Sequence, residues 1–178
     1  MSQGISGYGG FRTDATIRKD YSGFNGDGRD LEESVLYKVP WQIEYHRIGD
    51  LPRDRAISKV RANQPDGWDV TDPPTVAASN IQALACDAIG IEDYGEMKMF
   101  TALGSTLDVR HGSDAFLEFT DPETGDKQIV TLDVTRDPIK YIRGHKADII
   151  VFGNHADVAA RDIATLVEKR RVYHASAF

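Results

Sequence analysis

The chain has 178 residues, a formal net charge of −7, 40% hydrophobic residues and 28% charged residues. That length is enough for one domain with a real core. The acidic balance argues against a broad, sequence-blind nucleic-acid surface, while leaving room for a local basic groove. No apolar run is long enough to cross a bilayer and no signal-peptide apolar stretch stands at the start, so no membrane partner is expected. The single cysteine, Cys86, rules out an internal disulfide framework, so synthesis in a reducing cytoplasm is expected.

Residues 1–30 hold seven of the sixteen glycines, with Tyr8, Phe11, Tyr21 and Phe24 interleaved. Glycine loses much freedom on ordering and aliphatic residues are scarce, so this segment cannot build a core. It reads as an extended arm, with the four aromatics as anchors on a partner. A homo-oligomer or neighbouring subunits of a larger assembly, of the virion head, neck or tail type, is the expected setting. The segment Asn25-Gly-Asp-Gly-Arg-Asp30 only partly follows a calcium loop, because Arg29 stands where a third oxygen ligand is needed. A turn and a helix start at Asp30 or Leu31 are expected instead.

Residues 41–48 begin with clean alternation after Pro40, as an edge strand does. A short helix then opens at Asp50-Leu-Pro and runs to about Val60. Pro65, Gly67, Pro73 and Pro74 mark a connector over residues 63–75. The chain thus divides into an arm (1–30), an extension with one strand and a short helix (31–75), and a core (76–178).

The core reads as α+β. Helices are predicted over 75–89, 92–103 and 155–173. Strands are predicted over 106–111, 113–119, 127–135 and 147–152, forming a mixed sheet of about four strands. The first helix buries Val76, Ile81, Leu84, Ala85, Ala88 and Ile89 and stops at Gly90. Cys86, the single cysteine, falls on that apolar stripe and reads as a buried thiol rather than a nucleophile. The last helix carries Lys169, Arg170 and Arg171 in its final turns, which the helix dipole alone explains.

Strand side chains alternate, so residues two apart share a face. Asp114, Phe116 and Glu118 then lie on one face of their strand. Ile129, Thr131, Asp133 and Thr135 lie on one face of the next. Asp121-Pro-Glu-Thr-Gly-Asp126 supplies the turn of an antiparallel hairpin that brings Asp114 toward Asp133. Two carboxylates in an apolar hairpin must be paired, protonated or metal-bound. An oxygen-rich site suits magnesium or manganese. The plainer alternative is Asp133 paired with Arg136 or Lys127, or turned to water on a wet sheet face.

The order helix, three strands, irregular link, strand, helix, with acids at Asp114 and Asp133, resembles the PD-(D/E)xK nuclease superfamily over about residues 76–173. Gly112-Ser-Asp114 looks like the first half-motif and Asp133-Val134-Thr135 like the second. The resemblance implies that Asp114 and Asp133 hold one or two divalent metals and are catalytic. The family's lysine position holds Thr135. Lysines move in this superfamily, and Lys140, Lys146 and Lys127 are the candidates, with Lys140 taken as catalytic. A helix glutamate that assists would be Glu92 or Glu96. Arg110, Arg136, Arg143 and Lys146 would line the approach of DNA.

No histidine pair among the five has helical zinc spacing. No glycine-rich phosphate loop joins a strand to a helix, and no serine sits on a nucleophile elbow. Two readings follow. One is a structural subunit held by its arm and built on a nuclease-like core that has lost activity. The other is an active divalent-metal-dependent DNA nuclease or end-processing enzyme.

Overall fold

A computed structural model describes residues 28–36, 51–137, 139–140, 145–153 and 155–176. The elements in chain order are α1 (Gly28–Leu36), α2 (Arg53–Ala62), α3 (Val76–Ile89), a 3-10 turn (Tyr94–Glu96), β1 (Lys98–Thr101), α4 (Thr106–His111), β2 (Ala115–Thr120), β3 (Lys127–Thr135), β4 (Ile149–Phe152) and α5 (Ala156–Ala175). The protein is α+β, with one four-stranded mixed sheet in the order β1-β2-β3-β4. The first three strands run antiparallel, and β4 returns parallel to β3.

Alternation along the strands builds two cores. Ala115, Leu117, Phe119, Val130, Leu132, Val134, Ile149 and Val151 share one core with apolar residues of α1, α3 and α5. Phe100 and Phe116 point the other way, onto Ala56, Ile57 and Val60 of α2 and Leu107 of α4. Their rings stack with centroids 4.7 Å apart. The sheet is therefore the middle of three layers: one face is largely apolar, and the face toward α2 and α4 mixes Phe100 and Phe116 with Glu118, Thr131 and Asp133.

Caps fix the helices that hold these layers. The Thr75 hydroxyl accepts from Ala78 N at 3.2 Å and donates to the Val35 carbonyl, tying α1 to the start of α3. Gly90 closes α3 at φ +87°, a left-handed conformation that a Cβ disfavours. The connector over residues 63–75 is laid along the sheet edge. Val70 O accepts from Met99 N at 2.8 Å, and the buried Trp68 donates its indole N–H to Met99 O at 2.8 Å. These bonds satisfy backbone groups of an edge strand that would otherwise be open.

Two predicted elements are corrected. Residues 106–111 form α4, not a strand. The Ser105 hydroxyl accepts from Leu107 N and Asp108 N at 3.1 and 3.4 Å, while Asp108 Oδ2 accepts from Gly104 N at 2.6 Å. This reciprocal capping starts a helix that Gly112 ends at φ +60°. The predicted helix over 92–103 is instead the 3-10 turn and β1. Met97 and Met99 face one core and Phe100 the other, a period of two that reads as helical because apolar residues at 97, 99 and 100 and one at 94 also suit a helical stripe. The predicted strand over 41–48 lies outside the described residues.

Candidate functional site

The pair at the centre of the site is set by register. Ala115 lies opposite Leu132, Phe116 opposite Thr131 and Leu117 opposite Val130. Asp114 directly precedes β2, and Asp133 is the residue of β3 just beyond Leu132. The regular ladder ends at Ala115: Asp114 N donates to the same Leu132, at 2.8 Å from its carbonyl oxygen, and Asp114 O accepts from Ala102 N at 2.7 Å, so Asp114 stands at the mouth of the hairpin beside Asp133. Both carboxylates are buried, at 5% and 6% exposure.

Each carboxylate has a distinct partner. Asp114 Oδ2 accepts from Val134 N at 2.7 Å, capping β3 where β2 has not yet begun. Asp133 takes the Lys140 ammonium, with Nζ 3.1 Å from Oδ1 and 3.2 Å from Oδ2. Burial pushes the Asp114 carboxyl up to about 8. The negative charge of Asp108 adds to this, the Val134 N–H opposes it, and Glu32 and Asp133 raise it further. Burial would lower the Lys140 ammonium, but the hydrogen bond and charge of Asp133, with the charges of Asp114 and Glu32, raise it instead.

The site is therefore an acidic cluster facing one lysine. Glu32 comes from α1, which packs against β3; Asp108 comes from α4. The sequence reading missed both. Asp108 had a local signal, the Ser-x-x-Asp box at 105–108. Glu32 had none, since only tertiary packing brings α1 to β3. The predicted helix glutamates go elsewhere. Glu92 and Glu96 are exposed, and the charge of Glu96 acts on the Cys86 thiol, which burial first of all pushes up to about 11.

Of the three candidate lysines, the fold brings Lys140 to the pair. Lys127 begins β3, six residues from Asp133 and roughly 20 Å away along an extended strand. Lys146 Nζ donates to Arg110 O at 3.0 Å, holding the end of α4 beside Gly112. Arg110 and Lys146 are exposed there, and the half-buried Arg136 directly follows β3. Arg143 lies outside the described residues, as do Tyr8, Phe11, Tyr21 and Phe24.

Among the described residues no group of three or more His, Cys, Asp or Glu side chains is placed to cage a metal ion. Magnesium does not require one. It commonly binds one or two carboxylates and fills its octahedron with water and substrate phosphate. Asp114 and Asp133 fit that demand. Burial first, and then the charges of Asp108, Glu32 and Asp133, raise the Asp114 carboxyl, and a divalent cation beside it would offset both. No protein-family model matches the chain, and no curated protein or solved structure does either.

Proposed function

We propose that the core is a divalent-metal-dependent phosphodiester hydrolase acting on DNA, a nuclease of the PD-(D/E)xK type with its lysine displaced. The observation that carries this reading is the Asp114–Asp133 pair with the Lys140 ammonium on Asp133. A sheet of three antiparallel strands and one parallel return, with helices on both faces, supports it as well.

Asp114 and Asp133 would hold magnesium or manganese. The ion, when bound, lowers the pKa of the attacking water and neutralises charge on the phosphate. Lys140, held on Asp133, would stabilise the extra negative charge as the phosphorus becomes five-coordinate. Arg110 and Lys146 attract the backbone toward the pair. The test is cleavage of linear and branched DNA in manganese by the wild-type chain, Asp114→Ala and Asp133→Ala. Activity lost in both variants supports the reading. An inactive wild-type chain, or active variants, would reject it.

The glycine-aromatic composition of residues 1–30 favours a second reading, a subunit of a larger assembly held by that arm. The two are compatible, since an assembly can carry a nuclease-like core with or without activity. Size in solution of the full chain and of a chain lacking residues 1–30 separates them. Assembly that does not depend on the arm would reject this second role.

A further inference from the structure

In a chain of net charge −7, the outer face of α2 is basic. The helix reads Arg-Asp-Arg-Ala-Ile-Ser-Lys-Val-Arg-Ala, with four cations and one acid. Ala56, Ile57 and Val60 are buried and fix its inner stripe. Arg53 reaches inward to Thr131 Oγ1 at 2.7 Å and to Asp148 Oδ2 at 3.5 Å. Arg61, at the other end, pairs with Glu118. Thus Glu118 of β2 and Asp148, which directly precedes β4, already hold arginines, and Asp148 also takes Arg170 at 3.3 Å.

Arg55 and Lys59 differ from these. They are exposed, stand one helical turn apart, and take no ion pair or side-chain hydrogen bond among the described residues. Asp54, the helix's own acid, is exposed too. Thr131, where α2 is anchored, shares a face with Asp133 two residues further along β3, roughly 7 Å away. From α4, His111 Nε2 meets Leu51 O at 2.9 Å, so the basic end of α4 adjoins the entry to α2. The helix then runs about 15 Å away from the carboxylate pair.

We infer that Arg55 and Lys59 form a backbone track that carries a nucleic-acid strand past the carboxylate pair, so that the substrate extends several nucleotides to one side of the scissile bond. The inference rests on the phosphodiesterase reading of Asp114 and Asp133. Cations that take no partner among the described residues keep their attraction for phosphate. Each one engaged releases a counterion and steepens the salt dependence of binding.

The test is binding of a fluorescent DNA duplex of about 20 base pairs by Arg55→Glu/Lys59→Glu, with calcium replacing magnesium so that affinity is read apart from cleavage. The control, Arg161→Glu/Lys169→Glu, reverses the same charge on α5, across the sheet. The α2 variant should bind about tenfold more weakly, with a salt slope shallower by about two, while the control binds as the wild type. Arg55→Gln/Lys59→Gln should shift in the same direction and removes added repulsion as the cause. Equal losses in both faces, no loss on α2, or a wild-type chain with no affinity for the duplex would overturn the track. Binding that follows this pattern in a chain that cleaves nothing in manganese counts against the hydrolase reading alone.

Discussion

The Lys140 ammonium lies 3.1 Å from one oxygen of Asp133 and 3.2 Å from the other, whereas the residue two positions after Asp133 is the uncharged Thr135. A lysine supplied from there would follow the strand. This one returns from the segment beyond it. Lys140→Ala should lower the rate of manganese-dependent cleavage on the order of 10²-fold, the scale on which one charge-stabilising donor acts. Manganese binding, followed by titration, should persist or tighten, because the variant frees both oxygens of Asp133. Loss of manganese binding would instead mark Lys140 as structural.

The return of Lys140 depends on Asp137. Asp137 N donates to Thr135 Oγ1 at 3.1 Å, Asp137 Oδ1 accepts from Ile139 N at 2.8 Å, and Asp137 O accepts from Lys140 N at 3.2 Å. The side chain is exposed, so its loss leaves the core intact. Asp137→Ala should slow cleavage roughly tenfold through a less often seated Lys140, with little change in Tm. Asp137→Asn keeps an acceptor for Ile139 N and should restore most of the rate. An Asn variant as slow as the Ala variant would show that the charge of Asp137, not its turn, matters.

The hairpin that carries the site was legible because β2 and β3 alternate and Pro122 and Gly125 mark the turn between them. That period put Asp114 and Asp133 on strand faces that could meet, while the register that sets them side by side was not in the sequence. The edge of the sheet was harder. Met99 and Phe100 are adjacent and buried on opposite faces of β1, and with Lys98 as its one exposed residue so short a strand lacks the alternation that would mark it. The opposite error fell on 106–111, where a single turn of capping chemistry outweighs the strand-like look of Thr106-Leu-Asp-Val. Glu32 belongs to a third kind, since its presence at the pair depends on chain path and residue spacing contains no trace of it. Lys140 was one of three lysines that the resemblance offered, and chain path decides which of them meets Asp133.

The raised Asp114 carboxyl sets a pH dependence. An unfolded chain ionises this group near pH 4. The folded chain keeps its proton up to about 8, first because it is buried and then because Asp108, Glu32 and Asp133 are negative. Between those limits the folded state binds the extra proton. Its contribution to stability therefore falls as pH rises through that window and levels off above about 8. Asp114→Asn retains an acceptor for Val134 N and cannot ionise. It should melt higher than the wild type at pH 8, on the order of 5 °C, and nearly level with it at pH 4. Equal melting temperatures across this range would mean that Asp114 is solvated in the folded chain.

The Asp121–Arg171 pair should act in the opposite sense. Asp121 begins the hairpin turn, is fully buried, and accepts from Glu123 N at 2.9 Å. Arg171 of α5 meets it from both Nε and Nη2 at 2.9 Å. Burial alone would raise the Asp121 carboxyl, but the hydrogen bonds and charge of Arg171, with the turn N–H groups, hold it below the ordinary value. The unfolded chain then binds the proton first on acidification. The stability this pair contributes is present above about pH 4 and is lost as pH falls through the lowered folded value. Arg171→Ala leaves a buried carboxylate without its cation, which costs about 3–5 kcal/mol. The variant should unfold at a higher pH than the wild type in an acid titration followed by circular dichroism. Arg171→Lys should recover only part of the loss, since an ammonium cannot reproduce the two-pronged contact. Full recovery by lysine would show that charge alone secures the turn to α5.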